Sequence, residues 1–321
     1  LKNLFRDLEK YSDNSAIFLE QETISYKKLL SIADKIACQI GHRSLVVVAC
    51  KNSYASLAGY VGFMRAGIVP LLISSTINND LLSKLVECYQ PDYLYLPSEL
   101  AISFQNCESV FKHEDYELKK AYFESGCCLH DDLALLLSTS GSTGSPKYVR
   151  QSYNNIASNT NSIAKFLKIT EVDRAITTMP MNYTYGLSII NTHLFKGASL
   201  ILTEDSIVNQ RFWKTFKEKK ATTFGGVPYI YEILKKLRFE RMKLPSIRYI
   251  TQAGGKLSQN LSSEFAKISL QKDFKFFVMY GQVEATARIS YLPPKLLNKK
   301  PGSIGIPIPG GKISLIDKNG K

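Results

Sequence analysis

Apolar positions along the chain recur with two periods. Leu29, Ile32, Ala33, Ile36 and Ile40 fall on one helical face, and Gly41 is placed to stop that helix. The β-branched run from Leu45 to Cys50 predicts a central strand. A second helix fits Tyr54 to Arg65, closed by Gly67, and Val69 to Ile73 is the next strand. Leu81, Leu82, Leu85, Val86 and Tyr89 form a helical stripe, with a short strand from Asp92 to Leu96 behind it. Residues 97–132 are polar and irregular and read as a connection. Leu133 to Leu137 reads as a buried strand. Tyr153 to Leu167 suits a helix with Ala157, Thr160, Ala164 and Leu167 on one face, capped by Ser152 or Asn154.

The second half repeats the alternation. Strands are expected at 176–179, 198–203, 221–224, 248–251 and 275–279. Between them lie a helix face with Phe212, Trp213 and Phe216 and a helix carrying Ile230, Ile233, Leu234 and Leu237. Such alternation predicts an α/β fold of two layered subdomains with mostly parallel sheets. We place these subdomains at residues 1–132 and 133–290.

Composition narrows the partners. The 321 residues can bury a large core, and 45% apolar content is ordinary for a globular protein. Lys and Arg number 41 against 28 Asp and Glu, a net charge of +13. That excess favours anionic partners: nucleotides, coenzyme A phosphates, an acidic carrier protein, nucleic acid or a membrane surface. No basic arm or zinc finger is present, so a nucleic-acid role would rest on charge alone. The cysteines (Cys38, Cys50, Cys88, Cys107, Cys127, Cys128) form no C-x-x-C, and only four histidines accompany them, which argues against zinc. They are too sparse for a disulfide scaffold and suit a reduced, cytoplasmic setting. The first residues carry no signal-peptide segment, and no apolar stretch suits a membrane span. A first residue other than Met and an abrupt end at Lys321 are expected of a fragment.

The chemistry gathers around residues 133–147. The strand at Leu133 runs into Thr139, Ser140, Gly141, Ser142, Thr143 and Gly144, and Lys147 follows. Glycines without Cβ let the backbone turn sharply and approach a ligand, and successive N–H groups can form an anion nest. With five hydroxyls (Ser138, Thr139, Ser140, Ser142, Thr143) and a cation, the stretch suits a polyphosphate. An ordinary Gly/Ser turn is the plainer reading, but the strand in front and the lysine behind favour phosphate. The spacing is not that of the common P-loop. A helix following directly would bring its N-terminal dipole to the phosphates.

Thr139 to Lys147 resemble, position by position, the ATP-phosphate loop T-S-G-[ST]-T-G-x-P-K-G of the adenylate-forming enzymes, with Tyr148 at the final glycine. That family includes acyl-CoA synthetases, carrier-protein ligases and peptide-synthetase adenylation domains. Other segments follow in the family's order. Ser25 to Leu29 and Met64 to Pro70 resemble its opening motifs. Pro180 to Leu187 resembles P-L-x-H-x-x-G-L, with Tyr183 at the histidine. The resemblance implies an acyl pocket lined by Tyr183, Tyr185, Gly186, Gly225 and Gly226. It also implies a nucleotide site with Thr139–Gly144, Lys147, Gly254, Gly255, Lys256, Tyr280, Gly281 and Gln282. Tyr280-Gly281-Gln282-Val283-Glu284 resembles Y-G-x-T-E, in which the aromatic stacks on adenine and the glutamate holds Mg²⁺. Val283 departs from it and cannot donate a hydroxyl to the α-phosphate, a loss of about 1.5–3 kcal/mol unless another donor substitutes. Gly302 to Gly311 resembles the entry to a small β-rich lobe, expected at 291–321.

The implied cofactors are ATP and Mg²⁺, with Lys147 and Glu284 as catalytic residues. The implied reaction activates a carboxylic acid as acyl-AMP for transfer to a thiol of coenzyme A or an acidic acyl carrier protein. The family's ribose-binding Asp, hinge and C-terminal domain, with its catalytic Lys, have no counterpart in these residues, so poor activity alone is expected. No Asp stands ready for a substrate ammonium group, which counts against α-amino acids. A peptide-synthetase-type adenylation domain and a nucleotide-binding module that has lost catalysis both stay open.

Overall fold

The computed structural model describes residues 4–123, 128–138 and 147–317. The chain opens with β1 (Ser15–Phe18) and β2 (Thr23–Ser25). Ser25 Oγ accepts the Lys28 N–H and caps α1 (Tyr26–Cys38); Ser53 caps α2 (Tyr54–Ala66), which Gly67 closes at φ +75°. Around these helices run β3 (Leu45–Cys50), β4 (Val69–Ser74), α3 (Asn79–Tyr89), β5 (Tyr93–Pro97) and α4 (Ser98–Ala101). Next come β6 (Glu108–His113), β7 (Tyr116–Lys120), β8 (Leu133–Ser138) and β9 (Tyr148–Ser152). The second half is α5 (Tyr153–Leu167), β10 (Arg174–Ile176), α6 (Thr184–Phe195), β11 (Ser199–Ile201), α7 (Gln210–Glu218) and β12 (Thr223–Gly226). It ends with α8 (Pro228–Lys236), β13 (Tyr249–Gln252), α9 (Gln259–Gln271), β14 (Lys275–Tyr280), β15 (Ser290–Leu292) and β16 (Ile306–Pro307).

Among the described residues the strands form two sheets. One has the order β6-β7-β5-β3-β4-β8-β9, the other β16-β15-β14-β13-β12-β10-β11-β1-β2. The central strands of both are parallel, as the alternation predicts. Helices α1, α2, α5 and α6 share one apolar core with inward residues of both sheets, such as Val46, Leu72, Ile17 and Leu200. A second core lies between α3 and the outer face of the first sheet, a third between α7–α9 and the outer face of the second. The result is an α/β/α/β/α stack. Helix α2 is buried from Tyr54 to Met64, and a Cβ on Gly62 would stand 2.2 Å from the Ala33 carbonyl oxygen of α1.

Three expectations change. Residues 97–132 are not merely a connection: β6 and β7 form an antiparallel hairpin that extends the first sheet through β5. Their alternation was hidden because both faces of β7 are covered. Tyr116 and Leu118 fill one face, while Glu117 and Lys119 are buried on the other, 3.8 Å apart. Second, the residues after Lys147 form β9, which runs back antiparallel along β8, and Ser152 pairs with Leu133. Helix α5 therefore starts at the far end of β8 from Ser138 and Tyr148, so it does not follow Lys147 directly as expected. Third, sheet membership crosses residue 132. β1 joins the second sheet by pairing with β11, whereas β8 and β9 complete the first. β15 and β16 continue the edge of the second sheet, and residues 308–317 form no strand. Leu81, counted in the α3 stripe, is exposed. No helix among the described residues is long and apolar enough to cross a membrane.

His193 on α6 is wholly buried. Its Nδ1 lies 2.8 Å from the Ile189 carbonyl, which can only accept, so Nδ1 carries the proton and Nε2 faces the Tyr249 hydroxyl at 3.3 Å. Burial pulls its pKa from 6.5 to about 4. The unfolded chain thus takes up this proton near pH 6.5 while the folded one resists until near 4. Stability should fall by roughly 3 kcal/mol as pH drops through that window, and be unaffected above it. Urea midpoints at pH 7, 5.5 and 4.5 should show this decline, flattened in His193→Gln; an identical slope in the variant would assign the decline to other groups.

Candidate active site

Strands β12, β13 and β14 are parallel neighbours, so their carboxyl ends lie at one edge of the sheet, and open α/β sheets bind ligands beyond such ends. Beyond β13 and β14 opens a cavity of about 760 Å³, within the range of small-molecule sites. The other sheet reaches it through Ser138, the last residue of β8. Thr139, Ser140, Gly141, Ser142, Thr143 and Gly144, expected to bind phosphate, lie outside the described residues. Lys147 is exposed and does not line the cavity. It precedes Tyr148, the partner of Ser138 in the β8–β9 pair, so its backbone stays near the rim.

Two chain reversals shape the walls. After β13, Gly254 adopts φ +78°, and a Cβ there would stand 2.4 Å from the Tyr183 hydroxyl. Glycine is required on both counts. After β14 the chain turns sharply, and Ile289 N–H donates to Tyr280 O at 2.9 Å. A Cβ on Gly281 would lie 1.8 Å from Ala287 O. The reversal is tied down on two sides. Gln151 of β9 donates to Val283 O at 2.8 Å, and Thr184 Oγ1 donates to Thr286 O at 2.5 Å. Val283 packs its side chain toward the shared core.

Tyr183, Tyr185, Gly254, Gly255, Lys256, Tyr280, Gly281, Gln282 and Glu284 therefore meet at one cavity. Tyr280 is 43% exposed at the cavity, free to offer a ring face. Gly186, Gly225 and Gly226 do not line it. Gly186 lets α6 approach Pro180 O, and the other two pack behind Tyr185, Ile230 and Tyr231. Tyr185 is buried and bonded at 2.7 Å to Thr251, and burial pushes its hydroxyl up to about 12. It is a neutral wall.

The pattern of motifs overlooked several polar groups. Of the eight buried side-chain polar atoms without a hydrogen-bond partner among the described residues, four line this cavity: Asn182 Oδ1, Gln252 Oε1, Ser262 Oγ and Arg288 Nε. Buried polar atoms are rarely left unpaired, so their concentration here marks a surface built for a polar ligand. Gln252 Nε2 is occupied by Gly255 O at 2.9 Å, leaving its oxygen for something else. Arg288 stacks its guanidinium 4.2 Å above the Tyr185 ring. Burial lowers its pKa from the usual arginine value, with Tyr185 and Tyr183 opposing the change. No residue spacing announced these four. Arg288 sits in Ala287-Arg288-Ile289 and reads as an ordinary strand-edge residue.

Glu284 is exposed at the cavity and makes no ion pair among the described residues, which hold no group of three or more His, Cys, Asp or Glu able to cage a metal. One free carboxylate fits Mg²⁺ held jointly with substrate phosphates and water, the usual mode for that ion, and not a protein-only site.

The fold and this cavity are those of a two-sheet α/β domain with a ligand site at its strand ends. The chain belongs to the AMP-binding enzyme family, whose sequence pattern matches residues 4–321. It is 24% identical to an uncharacterized acyl–CoA ligase, YtcI, of Bacillus subtilis, over 99% of this chain and 65% of that protein. It is 30% identical to oxalate–CoA ligase of Saccharomyces cerevisiae, over 60% of this chain and 35% of that protein. Among solved structures it resembles o-succinylbenzoate CoA synthetase (MenE) from Bacillus subtilis with its acyl-adenylate intermediate OSB-AMP. The TM-score is 0.80 at 21% identity, over all of this chain and 66% of that one. The chain spans about a third to two thirds of the length of the curated relatives it matches.

Gly281→Ala would force the reversal open against Ala287 and should cost about 1–3 kcal/mol. A urea midpoint unchanged from the parent would show that the turn relaxes without loss.

Proposed function

We propose that the protein carrying this chain activates a carboxylic acid with Mg·ATP and passes the acyl group to the thiol of coenzyme A. A carboxylate oxygen attacks the α-phosphorus, the bond to pyrophosphate breaks, and an acyl-adenylate forms. A thiolate then attacks the acyl carbonyl and AMP leaves. The observation that carries this reading is the cavity at the joined strand ends of both sheets, with its cluster of unpaired polar atoms, in a chain of the AMP-binding family. MenE solved with ATP and magnesium supports the cofactors by fold likeness, at TM-score 0.79 and 21% identity over 99% of this chain and 67% of that one.

In this reading Tyr280 stacks on adenine, and the Gly254–Gly255 backbone lets the base lie close. Gln252 Oε1 is free to accept from a base amino group. Glu284 shares Mg²⁺ with the phosphates. Lys147, together with the Thr139–Gly144 donors, stabilises charge that develops on the transferred phosphoryl group, where such interactions count most. Tyr183 and Tyr185 wall the acid. Coenzyme A is favoured over a carrier protein because the named full-length relatives are CoA ligases. The amino-acid alternative lacks an acidic partner: Glu284 is the one carboxylate lining the cavity among the described residues.

Calorimetric titration with Mg·ATP should show saturable binding, weakened at least ten-fold in Tyr280→Ala and Lys147→Ala variants shown to be folded. Binding untouched by both changes would place the nucleotide elsewhere. Acid-dependent pyrophosphate exchange by the complete protein would exclude the catalytically lapsed alternative.

A further inference from the structure

Four charged side chains are buried among the described residues: Glu117, Lys119, Asp173 and Arg288. The first two face each other, and Asp173 takes Arg248 bidentately, both contacts at 2.7 Å. Arg288, 3% exposed, has no carboxylate partner among the described residues. Its Nε is unbonded, and Nη1 reaches only the adjacent Ala287 O at 3.3 Å. The residue is nonetheless held in place. Asn159 of α5 clamps its backbone from both sides, at 3.2 and 2.8 Å, and Tyr185 supports the guanidinium plane. A guanidinium is a rigid fork of five donors matched to a carboxylate. Here it is set in a ligand cavity with the fork unfilled.

Arg288 lines both this cavity and a second, smaller void. The void on its other side, bounded by His193, Tyr249 and Thr223, measures about 10 Å³, room for one water at most. That void has no room for an alkyl chain beyond Arg288. Resting on the adenylation reading above, we infer that the acid is short and carries a second anionic group at its far end, a small dicarboxylate, which Arg288 holds. One carboxylate reacts at the α-phosphate, and the other completes the Arg288 fork. The overall positive charge of the chain agrees with an anionic substrate.

The test uses stable acyl-adenylate mimics, N-acylsulfamoyl adenosines, which need no turnover. Three acyl groups of equal length serve: one ending in a carboxylate, one in a carboxamide and one in a methyl group. The carboxylate-ended mimic should bind the protein at least ten-fold tighter than the other two. Arg288→Gln should abolish that preference while leaving the neutral mimics unchanged. Arg288→Lys, which keeps the charge without the fork, should retain part of it and serves if the Gln variant does not fold. Equal binding of all three by the parent protein would overturn the inference and leave adenylation standing. An equal loss for all three in Arg288→Gln would put the arginine on the nucleotide side, and overturn it too. Binding of none would overturn both the inference and the reading beneath it.

Discussion

The close approach of α1 and α2 is the constraint on which the rest depends. Gly62 brings the two helix backbones together where any side chain would strike Ala33 O, and Gly59 leaves room for the Tyr95 ring of β5. Helix α2 can then be buried on all sides, one face toward each sheet. Both sheets share this helix layer, so their positions are fixed relative to one another through packed apolar surface, the dominant favourable term in folding. That is how Ser138 at the end of one sheet comes to face Gln252 and Tyr280 at the ends of the other.

The cavity formed there departs from the rules that govern the rest of the molecule. Elsewhere most buried charges and hydroxyls are paired, as at Asp173 and Tyr185. Here Asn182, Gln252, Ser262 and Arg288 each hold a buried atom with no partner. Leaving polar groups uncompensated destabilises a fold, and the wider core carries that cost. The benefit is preorganisation: donors and acceptors already stand where a ligand will need them, and little reorganisation remains when it arrives.

The same economy explains the glycines of the site. Gly254 and Gly281 permit two backbone reversals that no other residue would allow without displacement of Tyr183 or Ala287. Gly186, Gly225 and Gly226, expected to line the site as well, serve the packing behind the wall. A motif glycine read from a sequence carries no statement of which of these it does, because the distinction lies in what stands opposite its missing Cβ.

Local pattern determined the alternating helices and strands, their serine and glycine caps, and the parallel character of the sheets, since these follow from period and turn chemistry within short windows. Motif order grouped residues near 183, 254 and 280, and these line one cavity. Tertiary structure decided what no window contains. It turned β9 back along β8 and so put the start of α5 at the end of β8 opposite Ser138. It buried both faces of β7, charges included, and it placed β1 in the sheet of the second half. Arg288 is the sharpest case: as a lone basic residue between Ala287 and Ile289 it carries no signal, and only the packing of Asn159, Tyr185 and the strand ends around it makes it a buried cation without a carboxylate partner among the described residues. Periodicity is a property of neighbours in sequence, whereas burial and pairing are properties of neighbours in space.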